Sequence, residues 1–331
     1  MDYAIEADKL TKYYGDFLAV DHIEFKVKRG EIFGFLGPNG AGKTTTIRML
    51  TGVSTPTDGN ASIMGYDIVK QSVDAKAVMG IVPDISNVYD ELSAWDNLIF
   101  TGKLYGVSKK KLEEKAEEML KRFALYDRRR EKVKGFSRGM KRKICIAMAL
   151  VNDSEVLFLD EPTSGLDVES VREIRQMVKT LNEDGLTVFL TTHNLEEANQ
   201  MCDRIAIINR GKITAIDTPE NLRQIMRNVQ SVEISFKEAS KNMAEELQQL
   251  RSVSSVEKRG DKYRIFTDEP PLVLKEVWDY AEKHGLAPVS INTLGPSLED
   301  VFVKLTGREV EEEVMRGGRG MAENIGRREM R

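Results

Sequence analysis

The sequence lacks the features that cross-link a chain, bind zinc or cross a membrane. It contains only two cysteines, Cys145 and Cys202, both in apolar surroundings. This pattern is typical of a reducing compartment and provides neither a disulfide framework nor the ligand spacing of a zinc site. No apolar run approaches the roughly 18 residues that span a bilayer, and the N-terminus has no basic region followed by an apolar stretch. We therefore expect a cytosolic chain that meets a membrane only through another protein.

Neither sign of charge predominates. The 49 Lys and Arg residues stand against 53 Asp and Glu, which gives a net charge of −4. This balance argues against a polyanion such as nucleic acid as the main partner. The basic runs at 109–111 and 128–130 fall on helical patterns, so we interpret them as solvated helix faces. The length suffices for about two domains, each with its own core.

The most informative stretch fits the pattern GxxxxGK followed by Ser or Thr, and consists of Gly37-Pro38-Asn39-Gly40-Ala41-Gly42-Lys43-Thr44-Thr45. The apolar segment 31–36 before it predicts a buried strand and segment 46–50 after it predicts a helix, as this pattern requires. Glycines let the loop direct its N–H groups towards a polyphosphate, and the helix dipole adds to the attraction. Lys43 would reach the β- and γ-phosphates, Thr44 would place its hydroxyl on Mg2+, and Thr45 would donate to the phosphates.

A second apolar segment, 156–159, predicts a central parallel strand that runs into Asp160 and Glu161. Ligands in open α/β sheets bind at the carboxyl ends of the strands. Asp160 would therefore hold Mg2+ opposite Thr44. Glu161, one residue further on, would polarise the attacking water.

Four residues admit both a functional and a structural explanation. His193 ends the predicted strand 187–192 and could sense a γ-phosphate or simply pack. Tyr14, beside a predicted turn, could stack on an adenine ring or cover the core. Ser137 and Gly139 precede a helical pattern and could bind an anion, although a helix N-cap is the simpler explanation.

The remaining patterns outline two domains. Residues 5–27 alternate in polarity and predict a small antiparallel sheet, whereas 94–124 predict helices. From residue 228 the order strand, helix, strand, strand, helix, strand predicts a ferredoxin-like α+β unit, in which the helix begins near residue 239. Ser297 would cap a final helix. From Arg308 the chain is rich in Arg, Glu and Gly and predicts a mobile tail.

Together these motifs closely resemble the ATP-binding subunits of ABC transporters, in particular the ABC-2 exporter group that includes daunorubicin-type drug-resistance ATPases. The resemblance implies an α/β fold of the P-loop NTPase class, with a RecA-like core, an antiparallel β subdomain and a helical subdomain at about 85–152. It implies an ATP-binding domain at 1–227, an accessory ferredoxin-like domain at 228–307 and a tail at 308–331.

The resemblance also assigns roles to single residues. By the family pattern, Tyr14 looks like the adenine-stacking aromatic and segment 37–45 like the Walker A loop. Segment 137–140, with Ser137, Gly139 and Met140, lies where the signature motif falls. Asp160 and Glu161 match the Walker B carboxylates, segment 164–167, which ends at Asp167, matches the D-loop, and His193 matches the switch histidine.

The sequence departs from that pattern in two places, the signature segment and residue 84. The signature segment is Phe136-Ser137-Arg138-Gly139-Met140 rather than Leu-Ser-Gly-Gly-Gln, but it keeps the serine hydroxyl and the second glycine. Asp84 stands where the family has a glutamine that contacts Mg2+ or the attacking water. Aspartate is a stronger metal ligand and a poorer amide-like donor, so Asp84 is a candidate for both the metal site and the catalytic site.

The resemblance implies ATP and Mg2+ as cofactors, and a head-to-tail dimer, either of two copies or with a paralogous ATPase subunit. Walker A of one subunit and Ser137 with Gly139 of the other would hold each ATP. The dimer would drive an integral-membrane permease of the ABC-2 type, docked near Asp84 and 95–105 at the inner face of the cell membrane. Two alternatives remain: a soluble ABC ATPase acting on nucleic acid or ribosomes, and a non-hydrolysing nucleotide sensor.

Overall fold

The structure, a computed structural model, describes residues 2–224, 230–238, 242–295 and 297–307. The chain forms two compact units, Met1–Leu222 and Arg223–Arg331. The predicted tail 308–331 and the first residues of the helix predicted from 239 lie outside the described residues.

Strands and helices alternate in the first unit after an N-terminal hairpin. The strands are β1 (Tyr3–Tyr14), β2 (Phe17–Lys28), β3 (Ile32–Leu36), β4 (Asp58–Ile63), β5 (Tyr66–Asp67), β6 (Met79–Val82), β7 (Val156–Asp160), β8 (Thr187–Thr192), β9 (Arg204–Asn209) and β10 (Lys212–Asp217). The helices are α1 (Lys43–Leu50), α2 (Ser72–Ala77), α3 (Ala94–Leu104), α4 (Lys109–Arg122), α5 (Arg138–Ala149), α6 (Val168–Glu183), α7 (Leu195–Met201) and α8 (Pro219–Gln224).

A six-stranded sheet in the order β10-β9-β3-β8-β7-β6 forms the centre of this unit. All neighbouring pairs are parallel except β9 with the edge strand β10. Every residue of β3, β7 and β8 is buried, which explains why these segments are nearly continuous apolar runs. The register pairs Leu36 with Thr192 and Asp160 with Thr191, so the carboxyl ends of the three strands meet at one edge.

The predicted antiparallel sheet is present and has the order β2-β1-β4-β5. It packs on the central sheet through a cluster of five phenylalanine rings. Phe189 of β8 is the centre of this cluster, since its ring centroid lies 5.5–5.9 Å from those of Phe25, Phe33, Phe35 and Phe158. One side chain therefore joins strands of both sheets.

The predicted helical region contains α3, α4 and α5 with two short 3-10 turns, Tyr126–Arg128 and Val133–Gly135. Its basic residues form surface ion pairs, for example Lys111 with Asp153 at 2.7 Å and Lys121 with Glu117 at 2.6 Å. This confirms the interpretation of segment 109–111 as a solvated helix face. None of the helices in the described residues is both long and apolar enough to cross a bilayer.

The second unit contains β11 (Gln230–Phe236), α9 (Met243–Gln248), β12 (Ser255–Arg259), β13 (Lys262–Thr267), α10 (Pro270–His284), β14 (Pro288–Leu294) and α11 (Leu298–Thr306). Its antiparallel sheet has the order β12-β13-β11-β14, which is the arrangement of a ferredoxin-like unit. Ser297 caps α11 as the sequence predicts, because its hydroxyl accepts from the Asp300 N–H. The buried Arg264 donates to Asp300 and so attaches the start of α11 to the sheet.

Candidate functional site

The predicted phosphate loop connects β3 to α1 at the edge where the central strands end. Gly42 is the N-cap of α1 and has a φ of 110°, a conformation that favours glycine. Gly37 lies so close to β9 that a Cβ atom would stand 2.4 Å from the carbonyl oxygen of Ile208. The Gly37 N–H donates to the Thr192 carbonyl at 3.3 Å, which ties the loop to β8. Two of the predicted glycines are therefore required by the path of the backbone itself.

The Lys43 side chain is buried against this loop. Its Nζ donates to the carbonyl oxygens of Gly37 at 2.7 Å and Pro38 at 3.3 Å, and lies 3.3 Å from Glu161 Oε1. The ammonium group thus contacts both the loop and the end of β7. It supplies a positive charge where the sequence predicts the β- and γ-phosphates.

Asp160 ends β7 as a buried carboxylate and faces the first turn of α1. Its Oδ1 accepts from the Thr191 hydroxyl at 2.5 Å and from the Thr44 hydroxyl at 3.4 Å. The predicted metal ligands Thr44 and Asp160 are therefore neighbours. A hydroxyl and a carboxylate oxygen suit Mg2+, which takes one or two protein ligands together with substrate phosphates and water. Within the described residues, no group of three or more His, Cys, Asp or Glu side chains is placed so that it could hold a metal ion.

Glu161 lies next to Asp160 but is directed differently. Its φ of 49° turns the chain out of the strand. Its Oε2 is 2.9 Å from His193 Nδ1, and its Oε1 is the atom in contact with Lys43. Burial raises the pKa of Glu161, but the hydrogen bond with His193 and the charge of Lys43 outweigh burial and bring the pKa below its ordinary value. Glu161 is therefore ionised at neutral pH.

Asp84 follows β6, the strand beside β7. Loss of water around its carboxyl group and the nearby negative charge of Asp160 raise the pKa of Asp84, and the positive charge of Arg142 partly opposes this. The carboxyl group thus lies within electrostatic reach of the site without a direct contact to Thr44 or Asp160. Its predicted metal contact stays a prediction.

Tyr14 ends β1 immediately before the turn at Gly15. Its side chain is about half exposed, and the Lys12 ammonium lies 5.3 Å from the ring centre. A ring that is half covered agrees with the packing explanation and also leaves one part accessible to a ligand. Stacking on adenine stays a prediction.

The predicted signature residues lie at the start of α5 and contact the start of α6. Ser137 caps α5, because its hydroxyl accepts from the Met140 N–H at 3.2 Å, so the N-cap interpretation is confirmed. Asp167 caps α6 by accepting from both the N–H and the hydroxyl of Ser170 at 2.9 Å. Gly139 faces that serine so closely that a Cβ would lie 2.2 Å from Ser170 Oγ. In this chain the glycine is needed for packing between the two helices.

Gly139→Ala should therefore destabilise the protein by about 1–3 kcal/mol, because the new methyl group overlaps the Ser170 side chain. Urea unfolding would measure the free-energy difference. Gly135→Ala is the matched control. Gly135 has open space around its Cα, so this substitution should lower the free energy of unfolding by less. Ser170→Gly should recover most of the loss in the Gly139→Ala background, and failure to do so would remove the steric explanation.

The structure thus forms two groups of the predicted site residues. One contains Lys43, Thr44, Asp160, Glu161 and His193, and the other contains Ser137, Gly139, Met140 and Asp167. Sequence reasoning missed Thr191 and Arg142. Thr191 binds Asp160, and its place at the end of β8 was a usable signal. Arg142 is buried although it stands in a basic run. Its helical spacing places it on the same face as the apolar residues Cys145 and Ala149, and this spacing could have indicated that Arg142 faces inwards.

Comparison with known proteins agrees with this geometry. A family model described as ABC transporter matches residues 20–164. The chain is 36% identical over 310 residues to the linearmycin resistance ATP-binding protein of Bacillus subtilis (strain 168), covering 93% of this chain and 100% of that relative. It is 34% identical over 317 residues to the Nod factor export ATP-binding protein I of Cupriavidus metallidurans, covering 94% and 100%.

A solved dimeric ATP-binding cassette in a post-hydrolysis state, bound to ADP and Pi, resembles the chain with a TM-score of 0.58 and 25% identity. That similarity covers 65% of this chain and 98% of the solved chain. The phosphate loop, the carboxylates at the end of β7 and the relatives that match almost the full length lead to one conclusion. The chain belongs to the family of ABC transporter ATP-binding proteins.

Proposed function

We propose that this protein is the ATP-hydrolysing subunit of an ABC exporter and couples hydrolysis to a separate membrane permease. The observation that carries the proposal is the connected cluster at the carboxyl ends of β3, β7 and β8. There Glu161 contacts both Lys43 and His193, while Asp160 contacts Thr44. The cluster contains the cation, the oxygen ligands and the base that phosphoryl transfer to water requires.

Glu161 would act on the attacking water. Because its pKa is lowered, the carboxylate is available as a hydrogen-bond acceptor at neutral pH. As the water oxygen attacks the γ-phosphorus, the bond to the β,γ-bridging oxygen breaks and a water proton moves towards Glu161. His193 would keep this carboxylate oriented through its 2.9 Å contact and would sense the γ-phosphate.

Mg2+ is the cofactor that the donor set fits, with Thr44 and Asp160 as the residues that would hold it. When bound, the ion neutralises charge on the β- and γ-phosphates. Asp84 would contact the metal or the attacking water, and Tyr14 would stack on the adenine ring.

We further propose that ATP is bound between two protomers, either two copies of this chain or this chain and a paralogous ATPase subunit. Ser137 and Gly139 of one protomer would face the triphosphate on the 37–45 loop of the other, with Met140 and Asp167 beside them. The similar cassette that was solved as a dimer with ADP and Pi supports this arrangement. A γ-phosphate that bridges two protomers stabilises their dimer, and hydrolysis removes the bridge.

The partner proposed here is an ABC-2 type permease, which would hold the chain at the cytoplasmic face of the cell membrane. The names of the two relatives, one for linearmycin resistance and one for Nod factor export, favour export. The region predicted for docking exposes apolar side chains, with Ile85 83% and Leu104 71% exposed. The net charge of −4 does not favour nucleic acid as the partner instead.

A dimerisation assay tests the proposal. With Mg2+ and a non-hydrolysable ATP analogue the chain should change from monomer to dimer in light scattering, whereas ADP should not produce this change. With Mg2+ and ATP it should release phosphate. A monomer that encloses the analogue unaided, or a chain that binds ATP without ever releasing phosphate, would contradict the proposal.

Ser137→Ala should weaken the analogue-induced dimer about tenfold, because it removes one charge-assisted hydrogen bond to a phosphate. The substitution also removes a helix cap, which has its own cost. Ser93→Ala is the matched control, since Ser93 caps α3 through the same kind of bond to the Asp96 N–H. Equal weakening by both variants would show that capping alone is responsible.

A further inference from the structure

Arg142 is a buried arginine of α5, only 5% exposed, that binds main-chain atoms. Its Nη1 donates to the carbonyl oxygen of Pro83 at 2.6 Å and its Nη2 to that of Asp84 at 2.7 Å. The flanking residues behave differently, because Lys141 pairs with Asp90 and Lys143 with Glu173 on the surface. Of the three basic residues at 141–143, Arg142 is therefore the one whose side chain is directed inwards, to the segment that contains Asp84.

The same segment touches α5 at further points. Ser86 Oγ lies 3.4 Å from Cys145 Sγ, one turn beyond Arg142. At the other end of α5, Gly80 of β6 packs so closely that a Cβ would lie 2.1 Å from the Ala149 carbonyl oxygen. The strand β6 and the segment after it therefore contact α5 at Arg142, Cys145 and Ala149.

We infer that Arg142 is a positioning residue that fixes Asp84 relative to Asp160 and links Asp84 to the helix that begins at Ser137. The inference rests on the proposed function. In that function Asp84 acts on the ATP that is bound to the phosphate loop of its own chain, whereas Ser137 contacts the ATP that is bound to the phosphate loop of the other protomer. Arg142 lies five residues from Ser137, about 7.5 Å along the helix. Arg142 thus contributes to the connection between the two half-sites of one protomer.

The chemistry of the link requires a guanidinium group. Its planar fork presents two N–H groups to two successive carbonyl oxygens, and both bonds are strengthened by the positive charge. A lysine keeps the charge but is a single point donor on a flexible stem. A methionine of similar size leaves both carbonyl oxygens without this donor. The effect of substitution at Arg142 should therefore be graded, with Lys milder than Met.

Steady-state ATP hydrolysis by the full chain tests the inference in a cycle of four proteins: wild type, Arg142→Met, Asp84→Ala and the double variant. Arg142→Met should lower kcat about tenfold and leave the KM for MgATP within about twofold, because it acts on the position of Asp84 and not on the phosphate loop. In the Asp84→Ala background the same substitution should change kcat less than about twofold. Arg142→Lys should lie between wild type and Arg142→Met.

Lys143→Met is the matched control, because Lys143 is the next residue on α5, is 13% exposed and pairs with Glu173 instead. Its kcat should stay within about twofold of wild type. An equal loss from Arg142→Met in both backgrounds, an unchanged kcat in Asp84→Ala, or an equal loss from Lys143→Met would overturn the inference. If Arg142→Met does not fold, the same cycle with Arg142→Lys decides. Absence of Mg-dependent hydrolysis in the wild type would instead refute the proposed function.

Discussion

Glu161→Gln should bind ATP with nearly unchanged affinity and hydrolyse it about 100- to 10,000-fold more slowly. The amide keeps the size of the side chain and one acceptor oxygen, but it cannot take a proton from water. Because the γ-phosphate then persists, the variant should accumulate as an ATP-bound dimer. Phosphate release measures the loss of turnover, and light scattering in MgATP measures the dimer.

Glu155→Gln is the control for this substitution. Glu155 directly precedes β7, at the opposite end from Glu161, and is an exposed partner of Arg29. Loss of such a surface pair should leave turnover within about twofold. Full activity in Glu161→Gln, or a similar loss in Glu155→Gln, would remove Glu161 from the role of general base.

Phe189→Ala should destabilise the first unit by about 3–5 kcal/mol. The ring is fully buried and contacts four other phenylalanine rings from both sheets, so its removal leaves a cavity where the sheets meet. Surrounding β-strands can relax only partly into such a space. Calorimetric or urea unfolding of the full chain provides the measurement.

Phe17→Ala provides the comparison, because Phe17 begins β2 with 66% of its surface exposed. Its removal should change the free energy of unfolding by no more than about 0.5 kcal/mol. Phe189→Leu, which refills part of the volume, should be milder than Phe189→Ala. If Phe189→Ala and Phe17→Ala have similar effects, the ring cluster does not hold the two sheets together.

The sequence sufficed for the features that follow from strand burial. β3, β7 and β8 are covered on both faces, so their sequences are unbroken apolar runs that could be recognised without a structure. Parallel strands bring their carboxyl ends together, and with the phosphate-loop motif this predicted that Thr44, Asp160 and His193 would lie at the same edge. The N-cap of α5 at Ser137 was likewise available from local chemistry.

Features that depend on contacts between distant segments could not be predicted in this way. The resemblance to the family assigned Gly139 a role at the phosphate. Its close approach to Ser170 depends instead on how α5 packs on α6, which the sequence does not reveal. Arg142 stands between two lysines that pair with carboxylates, and composition alone does not distinguish it from them. Its partners are backbone oxygens more than fifty residues away, which leave no trace in the side chains of that segment.

The backbone of Glu161 has a φ of 49°, in the left-handed region that is unfavourable for a glutamate and readily adopted by glycine. Glycine at this position would relieve the strained conformation while abolishing the carboxylate. The same substitution would leave the buried Lys43 ammonium without its carboxylate partner, so relief of the backbone is opposed by the loss of this ion pair. The contacts of the Glu161 side chain with Lys43 and His193 therefore hold its backbone in a conformation that glutamate rarely adopts.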